Sequence, residues 1–382
     1  MIIGVLKETL HGERRVALVA ESVQRLVRSG LTVQVQAKAG MEAGQSDGEY
    51  EKAGARIVPE TSQILSAADL IVKVRLPTES ETDGLREAAI LIALLDPEAN
   101  GRLLKRLADR HLTALALERI PRIARAQNMD VLSSMSTIAG YKAAVMGADR
   151  LPRFFPLLMT AAGTIPPARV LVIGAGVAGL QAIGTARRLG ARVEAFDPRP
   201  AAREQVESLG ARFVGAELLN AKVETAGGYA REQTAEERDR QKEALLASVA
   251  RADLIICSAL VAGRKAPVVL DEAMVRSMPA GSVVVDLAAA QGGNCSLTEP
   301  GEEIVRHGVT ICGPENVPSL MPSDASRMFS RNVMNLLTHM IHDGQVIDLA
   351  GDEITRACLV AHRGQAWSDG EPLSAAPAGQ SA

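Results

Sequence analysis

Three glycines and one aspartate are the strongest chemical signal in this sequence of 382 residues. Gly174, Gly176 and Gly179 form G-A-G-V-A-G, directly after the apolar run RVLVI and directly before LQAIGTARRLG. Strand, turn and helix thus follow in the order that a phosphate-binding turn requires. The first glycine permits the tight turn, the second lets a pyrophosphate approach the backbone, and the third lets helix and strand pack closely. The helix start, at Val177 and Ala178, presents N–H groups and a positive dipole end to the phosphates. Asp197 ends the next strand, about 20 residues on, where an acid bonds the adenosine ribose of NAD and repels a 2′-phosphate. Arg199 is the counter-signal, because an arginine beside that acid accommodates NADP in other enzymes. Asp197 holds the strand-end position itself, so the cofactor expected is NAD(H).

A second cluster lies in PRIARAQNMDVLSSMSTIAGY, residues 121–141, where Arg122, Arg125, Gln127, Asp130, Ser133 and Ser134 sit between apolar segments. Oxidation of an alcohol or amine moves a proton with the hydride and needs a positioned acid or base. The six histidines, His11, His111, His307, His339, His342 and His362, include none in an obvious strand-end loop. Hydride exchange between two nicotinamides needs alignment and no base, which suits a polar cluster without histidine. Cys257, Cys295, Cys312 and Cys358 are too far apart for a metal site, so no metal is expected, and their sparse spacing fits a reducing cytoplasm.

These residues need a scaffold, and the apolar pattern supplies one. Short β-branched runs alternate with helical periodicity, the signature of α/β folds with parallel sheets. Strands are expected at 2–6, 32–37, 69–74, 89–95 and 112–117, with a glycine-capped helix over 21–30. A second series starts at Ala168. Residues 133–155 and 324–341 read as long helices linking the two. The expected architecture is α/β, two Rossmann-like domains with parallel sheets, joined by long helices, with a cleft between them. Their boundaries are residues 1–133 plus 324–382 for the first and 134–323 for the second. After Ala361 the chain turns polar and is expected to be loosely ordered. Residues 170–186 carry no charge, yet three glycines argue against a membrane span. Aromatic residues make up only 2%, so the cores must be aliphatic, and a net charge of −3 favours neither nucleic acid nor an anionic membrane as partner.

From KETLHGERRVAL through PRIARAQNMDVLSS, MTAAGTIPPARVLVIGAGVAGLQAIGTARRLGA, EQVESLGARF and ETAGGYA to DLAAAQGGNC and ENVPS, the sequence resembles the NAD(H)-binding component of proton-translocating nicotinamide nucleotide transhydrogenases. The resemblance implies that Arg122, Gln127 and Asp130, followed by Ser133, hold the nicotinamide end. It also implies that Gly228 and Tyr229 lie on a mobile loop closing over the cofactor, and that Ala259 and Leu260 contact it. It further implies a homodimer, a separate subunit binding NADP(H), and a proton-conducting membrane subunit that holds the chain peripherally at the cytoplasmic face. The implied reaction is Re/Si-specific: NADH plus NADP⁺ gives NAD⁺ plus NADPH.

Two departures stand out: Met135 replaces a usual Gln, and VALVAES lacks the Ser/Thr-Pro-Glu that would cap the first helix. The nearest alternative is an alanine dehydrogenase, whose early motif the chain shares. That family's histidine is replaced within Leu94, Leu95 and Asp96, and its aspartate before Gln-Gly-Gly by Ala290. Arg15 and Lys73, in stretches common to both groups, read as an inherited structural pair. The other alternative is an NAD sensor without catalysis.

Overall fold

The computed structural model describes residues 1–216, 235–261 and 265–373. The chain divides into two compact units, Met1–Met135 with Met321–Ala382, and Ser136–Leu320.

The first unit is built on a nine-stranded sheet. Its six parallel strands run Thr113–Ala116, Ile90–Ala93, Leu70–Val72, Ile2–Val5, Thr32–Gln36 and Arg56–Val58 across the sheet, a doubly wound order. Such strands are covered on both faces and so read as continuous apolar runs; Thr113–Ala116 and Leu70–Val72 are buried throughout. The first helix, Ala20–Arg28, ends in a Schellman turn. Gly30, at φ +87°, donates to the Val27 carbonyl and Leu31 to the Leu26 carbonyl. Its start, Val19, has no side-chain cap, but distant residues replace one. Ser330 Oγ accepts the Val19 N–H at 3.0 Å, and Gln45 Oε1 accepts that of Ala20 at 3.1 Å.

The second unit carries seven strands. Arg212–Phe213, Arg192–Phe196, Arg169–Ile173, Leu254–Cys257, Val283–Asp286 and Val309–Cys312 are parallel, and Glu303–Arg306 closes the edge antiparallel. Strand order reverses beside Arg169–Ile173. Ligands of open α/β sheets bind at such a switch point, outside the carboxyl ends of the strands. The uncharged run over 170–186 is therefore a strand, a turn and the helix Val177–Arg188. Among the described residues no helix is long and apolar enough to cross a membrane. The long helices are Val131–Arg150 and Pro322–Met340.

Parallel strands dominate both sheets, as the alternating pattern predicts, and the antiparallel strands join only at edges. One expectation needs correction. The chain is not loose just after Ala361, because Leu359–His362, Gln365–Ser368 and Glu371–Pro372 extend the first sheet antiparallel. The turns explain this. Arg363–Gly364 and Asp369–Gly370 both place two consecutive residues at positive φ, the conformation of two-residue hairpin turns that match strand twist. Polar composition hid a hairpin signal that the X-Gly pairs carried.

Candidate functional site

In the second unit the glycine turn is held by the groups around it. Gly174 has φ +94° and donates to the Phe196 carbonyl at 2.8 Å. A Cβ there would lie 2.9 Å from the Ala259 nitrogen, and one on Gly179 would overlap the Gly174 carbonyl oxygen. Both glycines are therefore demanded by packing. Gly176 differs: a Cβ on it would meet nothing within 4 Å. It is also the N-cap of Val177–Arg188, with no side chain capping it. Open space at an uncapped helix start fits an anionic pyrophosphate. Gly140, in the long helix Val131–Arg150, lets that helix approach the same turn, since a Cβ on it would overlap the Ala178 carbonyl oxygen.

Asp197 is only 4% exposed. Its Oδ2 accepts from the Ala175 N–H at 2.8 Å and from Arg199 Nη2 at 3.0 Å; its Oδ1 accepts the Arg199 N–H and Nε, each at 2.9 Å. The acid is thus tied to the glycine turn on one side and to a guanidinium on the other. A ribose diol at Asp197 would share the carboxylate with Arg199.

Across the switch point, Ser258 Oγ donates to the Gly174 carbonyl at 3.0 Å. The backbone of Ala259 is gripped by Asn294, and Leu260 is exposed. Cys257 is buried just before Ser258, and burial pushes its thiol well above the usual range, which removes it as a nucleophile. Gly174, Gly176, Val177, Ala178, Gly179, Asp197, Arg199, Ala259 and Leu260 thus gather at the carboxyl ends of three adjacent strands. Gly228 and Tyr229 lie outside the described residues.

In the first unit the polar cluster follows strand Thr113–Ala116 as a 3-10 turn, Ala124–Met129, leading into Val131–Arg150. Arg122 and Gln127 are exposed; Asp130 and Ser133 are half-buried. Asp130 caps the helix, with Oδ1 accepting the Ser133 N–H at 2.9 Å and Oδ2 the Ser133 hydroxyl at 2.6 Å. Asn332 and Asn335, one helical turn apart, both donate to the Asn128 carbonyl, at 2.8 and 2.9 Å. They pin the turn, and sequence reading missed them. Met135 is buried.

Arg15 and Lys73 are buried and already paired. Arg15 meets Glu13 at 2.6 Å, and Lys73 meets Glu81 at 2.8 Å and Glu8 at 4.0 Å. Neither offers a bare cation to a substrate carboxylate. At the strand end that bears Leu95 and Asp96, the buried Glu118 carboxylate accepts both backbone N–H groups. Burial raises its pKa. Among the described residues no cluster of His, Cys, Asp or Glu could hold a metal ion.

Comparison with known proteins adds the lineage. Residues 4–139 match the model described as alanine dehydrogenase/PNT, N-terminal domain, and residues 143–369 that of its C-terminal domain. The chain is 47% identical to an NAD(P) transhydrogenase subunit alpha of Rhodospirillum rubrum, across 94% of this chain and 96% of that protein. A crystal structure of transhydrogenase from Sinorhizobium meliloti superposes with a TM-score of 0.84 at 40% identity, covering 96% and 99% of the two chains. Alanine dehydrogenase of Bacillus subtilis is 30% identical, over 94% of this chain and 90% of the other.

Proposed function

The chain belongs to the alanine dehydrogenase/PNT family, and on that premise we propose that it is the NAD(H)-binding subunit of a proton-translocating transhydrogenase. It exchanges hydride between NADH held here and NADP⁺ held on a separate subunit. The observation that carries this reading is the likeness, over nearly the full length, to a transhydrogenase alpha subunit rather than to the more distant alanine dehydrogenases. The site chemistry supports it, since the histidine and aspartate of the dehydrogenases are replaced by Leu94, Leu95, Asp96 and Ala290.

NAD(H) supplies the hydride or receives it. Gly174, Gly176 and the N–H groups at Val177 and Ala178 bind its pyrophosphate, and Asp197 with Arg199 takes the adenosine ribose. Arg122, Gln127 and Asp130 orient the nicotinamide, with Ser133 locking Asp130 in place. Ala259 and Leu260 bear on the cofactor's nicotinamide half, and Gly228 and Tyr229 belong to the loop that covers it. Exchange between two rings leaves no substrate heteroatom to protonate, so the chain's task is alignment and exclusion of water. The domains act as residues 1–133 plus 324–382 and 134–323. The chain works as a homodimer, peripheral to a membrane subunit that conducts the protons, and the transfer is Re/Si-specific.

The test is a single turnover. The chain is loaded with NADH deuterated at C4 and mixed rapidly with the NADP⁺-loaded partner subunit. Label in NADPH is the expected result. Label lost to solvent, or no transfer, overturns the reading, and alanine oxidation by the chain alone replaces it with the dehydrogenase.

A further inference from the structure

At the carboxyl edge of the second unit's sheet, one side chain organises the backbone opposite the glycine turn. Asn294 is fully buried. Its Oδ1 accepts the Ala259 N–H at 2.9 Å, and its Nδ2 donates to the Ala259 carbonyl and the Pro267 carbonyl, each at 2.8 Å. Its own carbonyl accepts the N–H groups of Val269 and Leu270. The amide therefore grips Ala259 through both backbone groups, as a neighbouring strand would. Asn294 is itself fixed by Asp286, at the end of Val283–Asp286. The Asp286 Oδ2 accepts the N–H of Asn294 at 2.8 Å, that of Cys295 at 2.9 Å and the Thr298 hydroxyl at 2.7 Å.

The strand order gives this clamp a direction. Arg192–Phe196, which ends at Asp197, lies on one side of Arg169–Ile173; Leu254–Cys257, which leads to Ala259, lies on the other. A dinucleotide with its pyrophosphate on the glycine turn and its adenosine at Asp197 has its nicotinamide half over Ala259. The close fit between Gly174 and Ala259 means that a shift of Ala259 is felt at the turn itself.

We propose that Asn294, anchored by Asp286, is a positioning residue for hydride transfer: it sets the backbone at Ala259 and Leu260 that supports the nicotinamide half of the cofactor. The inference rests on the hydride-transfer function above. It predicts an asymmetry that a general loss of structure would not produce. Ligands ending at the adenosine side should not sense the clamp, whereas the full dinucleotide should.

The experiment uses the whole chain with Asn294→Ala, and Asn294→Asp in case the first does not fold. The aspartate keeps an acceptor for the Ala259 N–H and loses both donors. AMP and NADH are titrated at equilibrium, and single-turnover transfer is measured with the NADP⁺-loaded partner. AMP affinity should stay within about twofold, NADH binding should weaken about tenfold, and transfer should fall about a hundredfold, with Asn294→Asp between. Equal losses for AMP and NADH would make Asn294 a folding residue and end the proposal. Unchanged NADH binding and transfer would end it too. If the wild-type chain transfers no hydride but the AMP–NADH asymmetry appears, the clamp stands and the functional reading fails.

Discussion

The glycine turn and the polar 3-10 turn are both candidate cofactor contacts, yet they are built on opposite principles. At the glycine turn nearly every polar group is already satisfied within the protein: Asp197 by Ala175 and Arg199, Ala259 by Asn294, the Gly174 carbonyl by Ser258. The polar turn is pinned from behind through the Asn128 carbonyl, while Arg122 and Gln127 face outward. A preformed, satisfied surface gives affinity with little ordering cost. Exposed side chains on an anchored backbone suit geometry that matters only when a second ring arrives. The difference teaches that binding and alignment are assigned to different regions.

The sharpest way to break that division is Gln127→Asn. The variant should bind NADH within a few fold of wild type and transfer hydride about a hundredfold more slowly, since one methylene of misplacement acts on alignment. Single-turnover transfer beside an NADH titration checks it, and a wild-type rate would reduce the polar turn to a clasp. Asp197→Ser should act the other way round, on affinity. The exchange removes the charge that repels a 2′-phosphate and loosens the hold on the Arg199 guanidinium, so the preference for NADH over NADPH should narrow by roughly tenfold or more. Equilibrium titration of both nucleotides reads this. Arg199→Gln should widen the preference, and a narrowing there would mean that the arginine, not the acid, sets it.

A smaller effect concerns the buried charges of the first unit. Burial pushes the Glu8 carboxyl up to about 7, against the opposing pull of Lys73. In the unfolded chain it titrates near the ordinary 4.5. The fold therefore holds this proton more tightly than the unfolded chain does. Glu8 contributes its full stability below pH 4.5 and loses it as pH rises through about 7, by about 1 kcal/mol or more. Thermal unfolding of wild type should weaken between pH 5 and 8 more than that of Glu8→Gln, whose amide still accepts the Val74 N–H. Parallel profiles would remove Glu8 from the account. Smallest of all is Asp130→Asn. Asparagine caps as well as aspartate, so stability should change by about 0.5 kcal/mol or less and transfer by only a few fold. A large loss of transfer with the helix intact would show that the charge itself works on the nicotinamide.

The sequence alone determined the features whose causes are local. Strand, glycine turn and helix are contiguous, and backbone strain at Gly174 permits only glycine, so the motif could be read from one short window. The long helices were equally legible from their periodicity. The terminal hairpins carried their signal too, in Arg363–Gly364 and Asp369–Gly370, but it was outweighed by polar composition. Only the tertiary structure decided the rest. Asn294 reaches Ala259 across 35 positions, and Asn332 reaches Asn128 across 204. Arg15 and Lys73 prove to be paired with the chain's own glutamates. A hydrogen bond of three ångströms depends on where folding brings two distant segments, and no pattern within either segment encodes that distance.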